Sequence, residues 1–454
     1  MTRLIVMACC GVLVATLAIS AEHAAAPAPI DRGDASETVQ PPTDCGGEPC
    51  DAVARGLLAF FDRSPRGLDG NGRSCADCHM PTNSFQLSPS NVEARFRFLE
   101  WRRRWDANAD DPLFRPIDAD DFRTNGENAR DFRNLRQNGL VRITFPLPPN
   151  VRLVVPGSTD VSNETFVDVW RAVPSVNDVA LTGPDAFAPV WPRPPNPTGG
   201  YQLDARIASL QDQALGAFIN HAQIQDAVPQ QMLDDLASFQ RVLFTSHRVR
   251  ALADAVRTGA PLPDADPPLN ELETQGEVVF ARACGQCHGG PGQSTGQLPV
   301  VRFHDIATQC PRPVDTVSPP RFAFMPCPDR LERNARTYEI TQPNGSKIRR
   351  TSSDPGRALL TGVAGFGLAA PQDDWNKFDV PGLRGLRHTA PYFHNNSAAT
   401  LEEVVDHYTE LFKRAKVIAP PGVVPPLLST DGVHFDRPFV PEERAALLAY
   451  LRKL

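Results

Sequence analysis

The apolar positions of this chain fall into separate stripes of helical spacing. Asp51 opens a stretch to Phe61 in which Leu57, Leu58, Phe60 and Phe61 are apolar, which predicts a helix. Asp204 to Gln225 predicts a second, weakly broken at Gly216, and Met232 to Arg257 a third. Asn270 with Glu273 three positions later resembles a capping box that opens a helix from Glu271 to Ala283. Thr400 and Glu403 repeat that pattern ahead of a stripe made by Leu401, Val404, Val405, Leu411 and Phe412. At about 100° per residue Tyr408 falls in the middle of this stripe, and His407 lies about 100° away. Pro441 opens a last helix to Leu454, with Leu447, Leu448 and Leu451 on one side.

The intervening segments read differently. Residues 27–44 are rich in Ala, Pro and polar residues and read as a flexible leader. Residues 81–170 are polar, with Arg102, Arg103 and Arg104, a scatter of Asp110, Asp111, Asp118, Asp120 and Asp121, and the aromatics Trp101, Trp105 and Trp170. They read as a solvated insertion with aromatic anchors; a substrate-facing lid is the sharper alternative. Gly259 to Pro268 carries four prolines and divides the chain into two halves.

Composition supports a helical protein. The chain has 454 residues, 45 of them Pro and only 5 Tyr, which fits helices joined by long, proline-stiffened loops. The N-terminus reads as a secretory signal: Arg3, an apolar run from Leu4 to Ile19, and small residues at Ala18 and Ser20 or at Ala24 and Ala26. The run is short for a membrane span. A formal net charge of -7 speaks against nucleic-acid binding and leaves a basic redox partner open.

Two short stretches carry the chemistry: Cys75-Ala76-Asp77-Cys78-His79 and Cys284-Gly285-Gln286-Cys287-His288. Both read Cys-x-x-Cys-His, the attachment pattern of a c-type haem, in which the thiols form thioethers and the histidine binds the iron. A zinc site built from the two thiol pairs is the first alternative, but the pairs lie far outside ribbon spacing and zinc gives no reason for a His after each. A thioredoxin-like redox pair is the second, and it requires a strand–helix setting that an apolar helical stretch before each motif does not supply. One motif per half, each behind a helix, predicts a mainly α protein with two cytochrome c-like haem domains, at 51–260 and 261–454. Of the remaining cysteines, Cys45 with Cys50 and Cys310 with Cys327 are candidate disulfides in an oxidising compartment.

With these residues on the page, the chain resembles the bacterial di-haem cytochrome c peroxidase and MauG superfamily. Gly56-Leu57-Leu58-Ala59-Phe60-Phe61-Asp62 is similar to the family's opening helix, and Val173-Pro174-Ser175-Val176 to its Ser-Pro-Thr-Val segment. Leu203-Asp204-Ala205-Arg206, with Leu210 and Gln213-Ala214-Leu215-Gly216, resembles its Trp-Asp-Gly-Arg and Gln-Ala-x-Gly stretch. Arg302-Phe303-His304-Asp305-Ile306, Asp354-Pro355-Gly356-Arg357, and the run from Val380-Pro381-Gly382-Leu383-Arg384 to Thr389-Ala390-Pro391-Tyr392-Phe393-His394 match in kind.

The resemblance implies an exported, periplasmic enzyme with two covalent haems. His79 would belong to the haem that meets peroxide and His288 to the haem that relays electrons from a small cytochrome or copper protein. The relay haem's far ligand, Met in the peroxidases and Tyr in MauG, matches Tyr408, with His407 and Met325 as weaker candidates. The reactive site departs from the pattern. The family's acid–base Glu matches Gln223, ten positions after Gln213, and its Trp between the haems matches Leu203. No distal His follows His79 closely, and an Asn used for calcium matches Ala172, which puts calcium in doubt. Gln213, Ala217 and His221, four residues apart on one helix side, bring a new imidazole. His221 is an acid–base candidate, or it binds the iron and closes the site. Three functions stay open: peroxide reduction, non-catalytic electron transfer with both irons capped, and oxidation of an organic or protein substrate.

Overall fold

Gly56 and Gly276 set the two main helix crossings. The computed structural model describes residues 45–115, 118, 132–183, 200–264, 266–285, 287–293, 303–308, 329–364, 374–418 and 438–454. In it the helix Cys50–Phe61 crosses Gln230–Arg241, and Glu271–Ala283 crosses Pro441–Leu451. A Cβ on Gly56 would overlap the Asp235 carbonyl and lie 2.8 Å from the Phe239 Cβ. A Cβ on Gly276 would overlap the Ala446 carbonyl and lie 2.8 Å from the Tyr450 Cβ. Four residues beyond each glycine a phenylalanine meets that aromatic: Phe60 on Phe239 and Phe280 on Tyr450, both with centroids 5.3 Å apart. The two halves thus repeat one construction, Gly-x-x-x-Phe against an aromatic, ahead of each Cys-x-x-Cys-His. Substituting Gly276 by alanine should cost about 3 kcal/mol or more, because the overlapping atom is backbone and cannot rotate away. Denaturant unfolding checks this; a variant within 1 kcal/mol of the parent would mean the crossing is not close.

The helices Glu271–Ala283 and Leu401–Ile418 open as read. The Asn270 side chain accepts from Glu273 N at 3.0 Å and Glu273 returns to Asn270 N at 2.8 Å. Thr400 Oγ1 accepts from Glu403 N at 3.3 Å. Two other expectations change. The helix expected from Asp204 begins only at Leu210, where Ser209 caps it, and ends at Asn220. The helix expected over Met232 to Arg257 is two, Gln230–Arg241 and His247–Thr258. Buried Asp178 holds the break open by accepting from Thr245 N at 3.0 Å and Thr245 Oγ1 at 2.7 Å, and Ser246 caps the second piece.

Helices dominate the described residues, but three small antiparallel sheets join them, which helical spacing could not announce. Leu140–Pro146 pairs with Phe166–Ala172. Val151–Leu153 joins Arg336–Thr341 and Lys347–Ser352 in one sheet, so the two halves of the chain share strands. Phe303–His304 pairs with Phe378–Asp379. Residues 81–170 are not merely a solvated insertion: Leu87, Val92, Leu99, Leu113, Phe114 and Leu135 form a buried cluster there. Trp170 is buried, whereas Trp101 and Trp105 are exposed.

A buried charge cluster ties the halves together. Arg171 Nη1 donates to Asp204 at 2.5 Å, and its Nε and Nη2 donate to Asp354 at 2.6 and 3.0 Å. Burial alone would push the Arg171 guanidinium down, and the charges of Asp354 and Asp204 instead hold it up. All described residues belong to one compact unit, Pro42–Leu454, and among them no helix is long and apolar enough to cross a membrane. The candidate signal, Cys310, Cys327 and Met325 lie outside the described residues. Cys45 and Cys50 form a disulfide.

Candidate functional site

The first Cys-x-x-Cys-His is one helical turn, Cys75–Cys78, with His79 as its C-cap and His79 N bonded to Cys75 O at 2.9 Å. The turn starts at Ser74, whose backbone N–H and hydroxyl both donate to Asp77, at 2.9 and 3.1 Å. Asp77 is buried, and burial alone would raise its carboxyl. Hydrogen bonds from Arg63, Ser74 and Arg95 outweigh that and hold it below the usual carboxylate range. The motif is therefore clamped from outside by two arginines, one of them from the helix Pro89–Arg103.

The second motif follows the Glu271–Ala283 helix directly, with His288 N bonded to Cys284 O at 2.8 Å. Both histidines are oriented the same way. His79 Nδ1 bonds Phe85 O at 3.0 Å, and His288 Nδ1 lies 3.2 Å from both Gln293 O and Pro381 O. A backbone carbonyl accepts Nδ1–H, so Nε2 carries the lone pair that a metal takes. Phe85 and Gln293 both have positive φ, which turns each loop back over its histidine.

The thiols are neutral. Burial, and for Cys75 and Cys284 the neighbouring thiol, pushes Cys75 and Cys284 up to about 12. Burial pushes Cys78 and Cys287 up to about 11. A redox-active pair needs the opposite shift. Among the described residues no three His, Cys, Asp or Glu side chains converge on a metal position, so the four thiols do not gather as one zinc site.

Cys284, Cys287 and His288 open onto a cavity of about 410 Å³ whose walls include Phe280, Tyr408 and His394. His394 is buried against Phe378, ring centroids 4.0 Å apart, with Nδ1 at 3.1 Å from Thr308 Oγ1 and, among the described residues, no partner for Nε2. Two thiols, one oriented imidazole, an apolar wall and an orphaned polar atom are what a covalently attached haem requires of its surroundings, so the residues fit the group.

Tyr408 packs on the core cluster of that half. Burial pushes its phenol up, and the neighbouring Cys284 and Cys287 add to the effect. His407 Nε2 is bonded to Ile306 O at 2.7 Å. Leu203 and Ala172 also line the cavity; the Leu203 carbonyl accepts from Asp379 N, and Ala172 N donates to His394 O. Burial lowers His394 to about 4. Its folded value lies below the unfolded one, so the associated stability is present above about pH 6.5 and is lost as pH falls through 4. The span is on the order of 3 kcal/mol. Denaturant unfolding at pH 7 and pH 4.5 should show this loss in the parent and a smaller one in His394→Gln; equal losses would sink the assignment.

Around the first motif the structure gathers residues from three segments. His221 caps the helix Leu210–Asn220, with its N–H on Ala217 O at 2.9 Å. Gln213 is half-buried on the same helix. Gln223 is exposed with positive φ, and its Oε1 accepts from Asn71 Nδ2 at 3.2 Å. Burial lowers His79, Phe85 and Pro174 carbonyls oppose this, and His221 lies close enough to lower it further. Buried Arg73 and Asp118 stand beside His221 and act on the Cys78 thiol in opposite directions. Sequence reading missed both: Arg73 carried no signal, and Asp118 was one of five acids in a polar run.

No protein-family model matches the chain. Among curated proteins it is similar to the cytochrome-c peroxidase IdrP2 of Denitromonas iodatirespirans, 28% identical over 158 residues, which is 34% of this chain and 36% of that protein. It is also similar to the cytochrome-c peroxidase IdrP1 of Pseudomonas sp. (strain SCT), 28% identical over 142 residues and 31% of each chain. The similarity thus spans about a third of each relative's length. Among solved structures, a MauG-like protein associated with microbial copper homeostasis aligns with TM-score 0.42 and 18% identity over 89% of this chain and 88% of that one. The diheme peroxidase BthA of Burkholderia thailandensis E264 aligns with TM-score 0.40 and 18% identity over 89% and 86%.

Proposed function

We propose that this chain is a divergent member of the di-haem cytochrome c peroxidase and MauG superfamily and an exported oxidoreductase that reduces hydrogen peroxide with electrons from a small redox protein. The observation that carries the reading is the duplicated attachment geometry. In each half a helix crossing on a glycine leads to a Cys-x-x-Cys-His turn whose histidine is held through Nδ1 by a backbone carbonyl. Two cytochrome c-like domains are the simplest description of that repeat.

Cys75 and Cys78 would hold one haem and Cys284 and Cys287 the other, with His79 and His288 presenting Nε2 to the irons. When bound, the haems supply the redox chemistry: an iron that meets peroxide and a second that stores and passes electrons. The chain supplies the rest. His221 takes the place in function of the missing carboxylate, accepting a proton from peroxide at Nε2 and returning it to the leaving oxygen. Gln213 and Gln223 cannot transfer that proton at neutral pH; an amide there orients a ligand at most. Tyr408 stands on the His288 side as the candidate far ligand, in a mostly apolar wall. Leu203 lines the cavity at the His288 motif. The N-terminal signal read in the sequence, the Cys45–Cys50 disulfide and covalent haem together favour the periplasm.

Hydrogen peroxide consumption by the holoprotein with reduced cytochrome c, or a reduced copper protein, as donor tests the reading. Donor oxidation in proportion to peroxide is the expected result. No oxidation above the rate of free haem would overturn it.

A further inference from the structure

We infer that Asp118 is a positioning residue for His221, and that Arg73 anchors it. The inference rests on the acid–base reading of His221 above and adds a residue from the polar 81–170 segment to that site.

Among the described residues the geometry leaves one atom of the His221 ring, Nε2, without a hydrogen-bond partner. Its backbone N–H is used by Ala217 O, and its carbonyl accepts from Asn71 Nδ2 at 2.9 Å and from Arg73 Nη1 at 3.0 Å. Ring Nδ1 lies 3.1 Å from Asp118 Oδ1. A carboxylate accepts only, so Nδ1 carries the proton and Nε2 carries the lone pair. Asp118 is itself fixed. It is buried, and its other oxygen accepts from Arg73 Nη1. Arg73 is buried too, and its remaining donors reach the carbonyls of Pro112, Leu113 and Arg115. Asn71 and Arg73 precede Cys75 by four and two residues, so the His221 carbonyl is tied to the chain that delivers the first motif.

The arrangement has two consequences. The tautomer is set for Nε2 to accept a proton, and the bond from Nδ1 to Asp118 holds the ring in one orientation. One proton moves from the protic ligand to Nε2, leaving that ligand as its anion, while the Nδ1 proton stays on the ring, hydrogen-bonded to Asp118. The buried guanidinium of Arg73 offsets the burial of the carboxylate, which would otherwise be costly without a partner. The segment that composition marked as a solvated insertion thereby contributes to the reactive site.

Cyanide association with the ferric holoprotein tests this without turnover. Cyanide arrives as HCN and binds as the anion, so its rate reports a base beside the binding position. His221→Ala and Asp118→Asn should each slow association roughly 10- to 100-fold. The asparagine keeps a hydrogen bond but offers an N–H to Nδ1, which drives the proton to Nε2. The double variant should be no slower than His221→Ala alone, within about twofold, because Asp118 acts only through His221. A wild-type rate for Asp118→Asn beside a slow His221→Ala would overturn the positioning role, and so would multiplicative slowing in the double variant. A wild-type rate for His221→Ala would instead overturn the acid–base reading on which this one rests. If Asp118→Asn fails to retain haem, Asp118→Glu replaces it: the longer carboxylate displaces the Nδ1 contact, and an unchanged rate contradicts the role.

Discussion

Replacing Cys284 and Cys287 by serine should remove one of two covalent haems and abolish donor oxidation. Serine cannot form a thioether, and the half-buried turn that presents His288 would then have only the iron bond to hold a haem against loss. The haem-to-protein ratio after acid extraction, read as the pyridine haemochrome, should fall by half. Replacing Cys75 and Cys78 should give the same ratio but leave the spectrum of the other haem. The comparison matters because the halves repeat each other in their helix crossings and histidine supports, so each pair should act independently. An unchanged ratio in either variant would mean that the thiols serve something else. The raised Cys284 and Cys287 thiols argue the same way: neutral buried sulfurs are poor redox nucleophiles at pH 7.

Substituting His221 by alanine should lower peroxide turnover by about 10²- to 10⁴-fold, the usual contribution of a positioned acid–base group. The loss should fall on kcat/KM while the haem content and the His288-side spectrum stay as in the parent. His221 is one-third exposed and caps a helix, so its removal should leave the fold intact. Unchanged turnover would rule out the role and return attention to Gln213 on the same helix.

Legibility in the sequence differed between the two sites for physical reasons. Cys-x-x-Cys-His is a contiguous motif, because a thioether pair and its histidine must sit on one turn, so both copies could be read directly. The capping box at Asn270 and the Thr400 cap were equally local, and both helices begin where those residues place them. The glycines at 56 and 276 were visible but carried no meaning until the crossing helices were known, since their role depends on a carbonyl 179 and 170 residues away. The His221–Asp118–Arg73 cluster is nonlocal throughout, joining positions 103 and 148 residues from His221. Nothing distinguished Asp118 from its acidic neighbours in a segment without periodicity. The break at Val242 was hidden for a similar reason: Asp178, far upstream, captures Thr245 and ends a stripe that otherwise continues in phase. The strand Val151–Leu153 finds its partner in Arg336–Thr341 across the supposed domain boundary, which periodicity in either segment could not reveal.

The two copies of the Cys-x-x-Cys-His turn have unequal surroundings, and in the proposed function the two halves have different tasks. At His288 the cavity is lined by core residues and Tyr408. At His79 the neighbouring groups are charged or titratable: His221, Asp118 and Arg73. Peroxide reduction then needs an iron that can accept a ligand on the His79 side. The ferric holoprotein's low-temperature EPR spectrum, recorded as isolated and again after half-reduction, measures this most directly. A high-spin signal from one haem beside a low-spin signal from the other is the expected result. Two low-spin haems in both states would contradict it, and the protein would then be an electron carrier with His221 closing the first site.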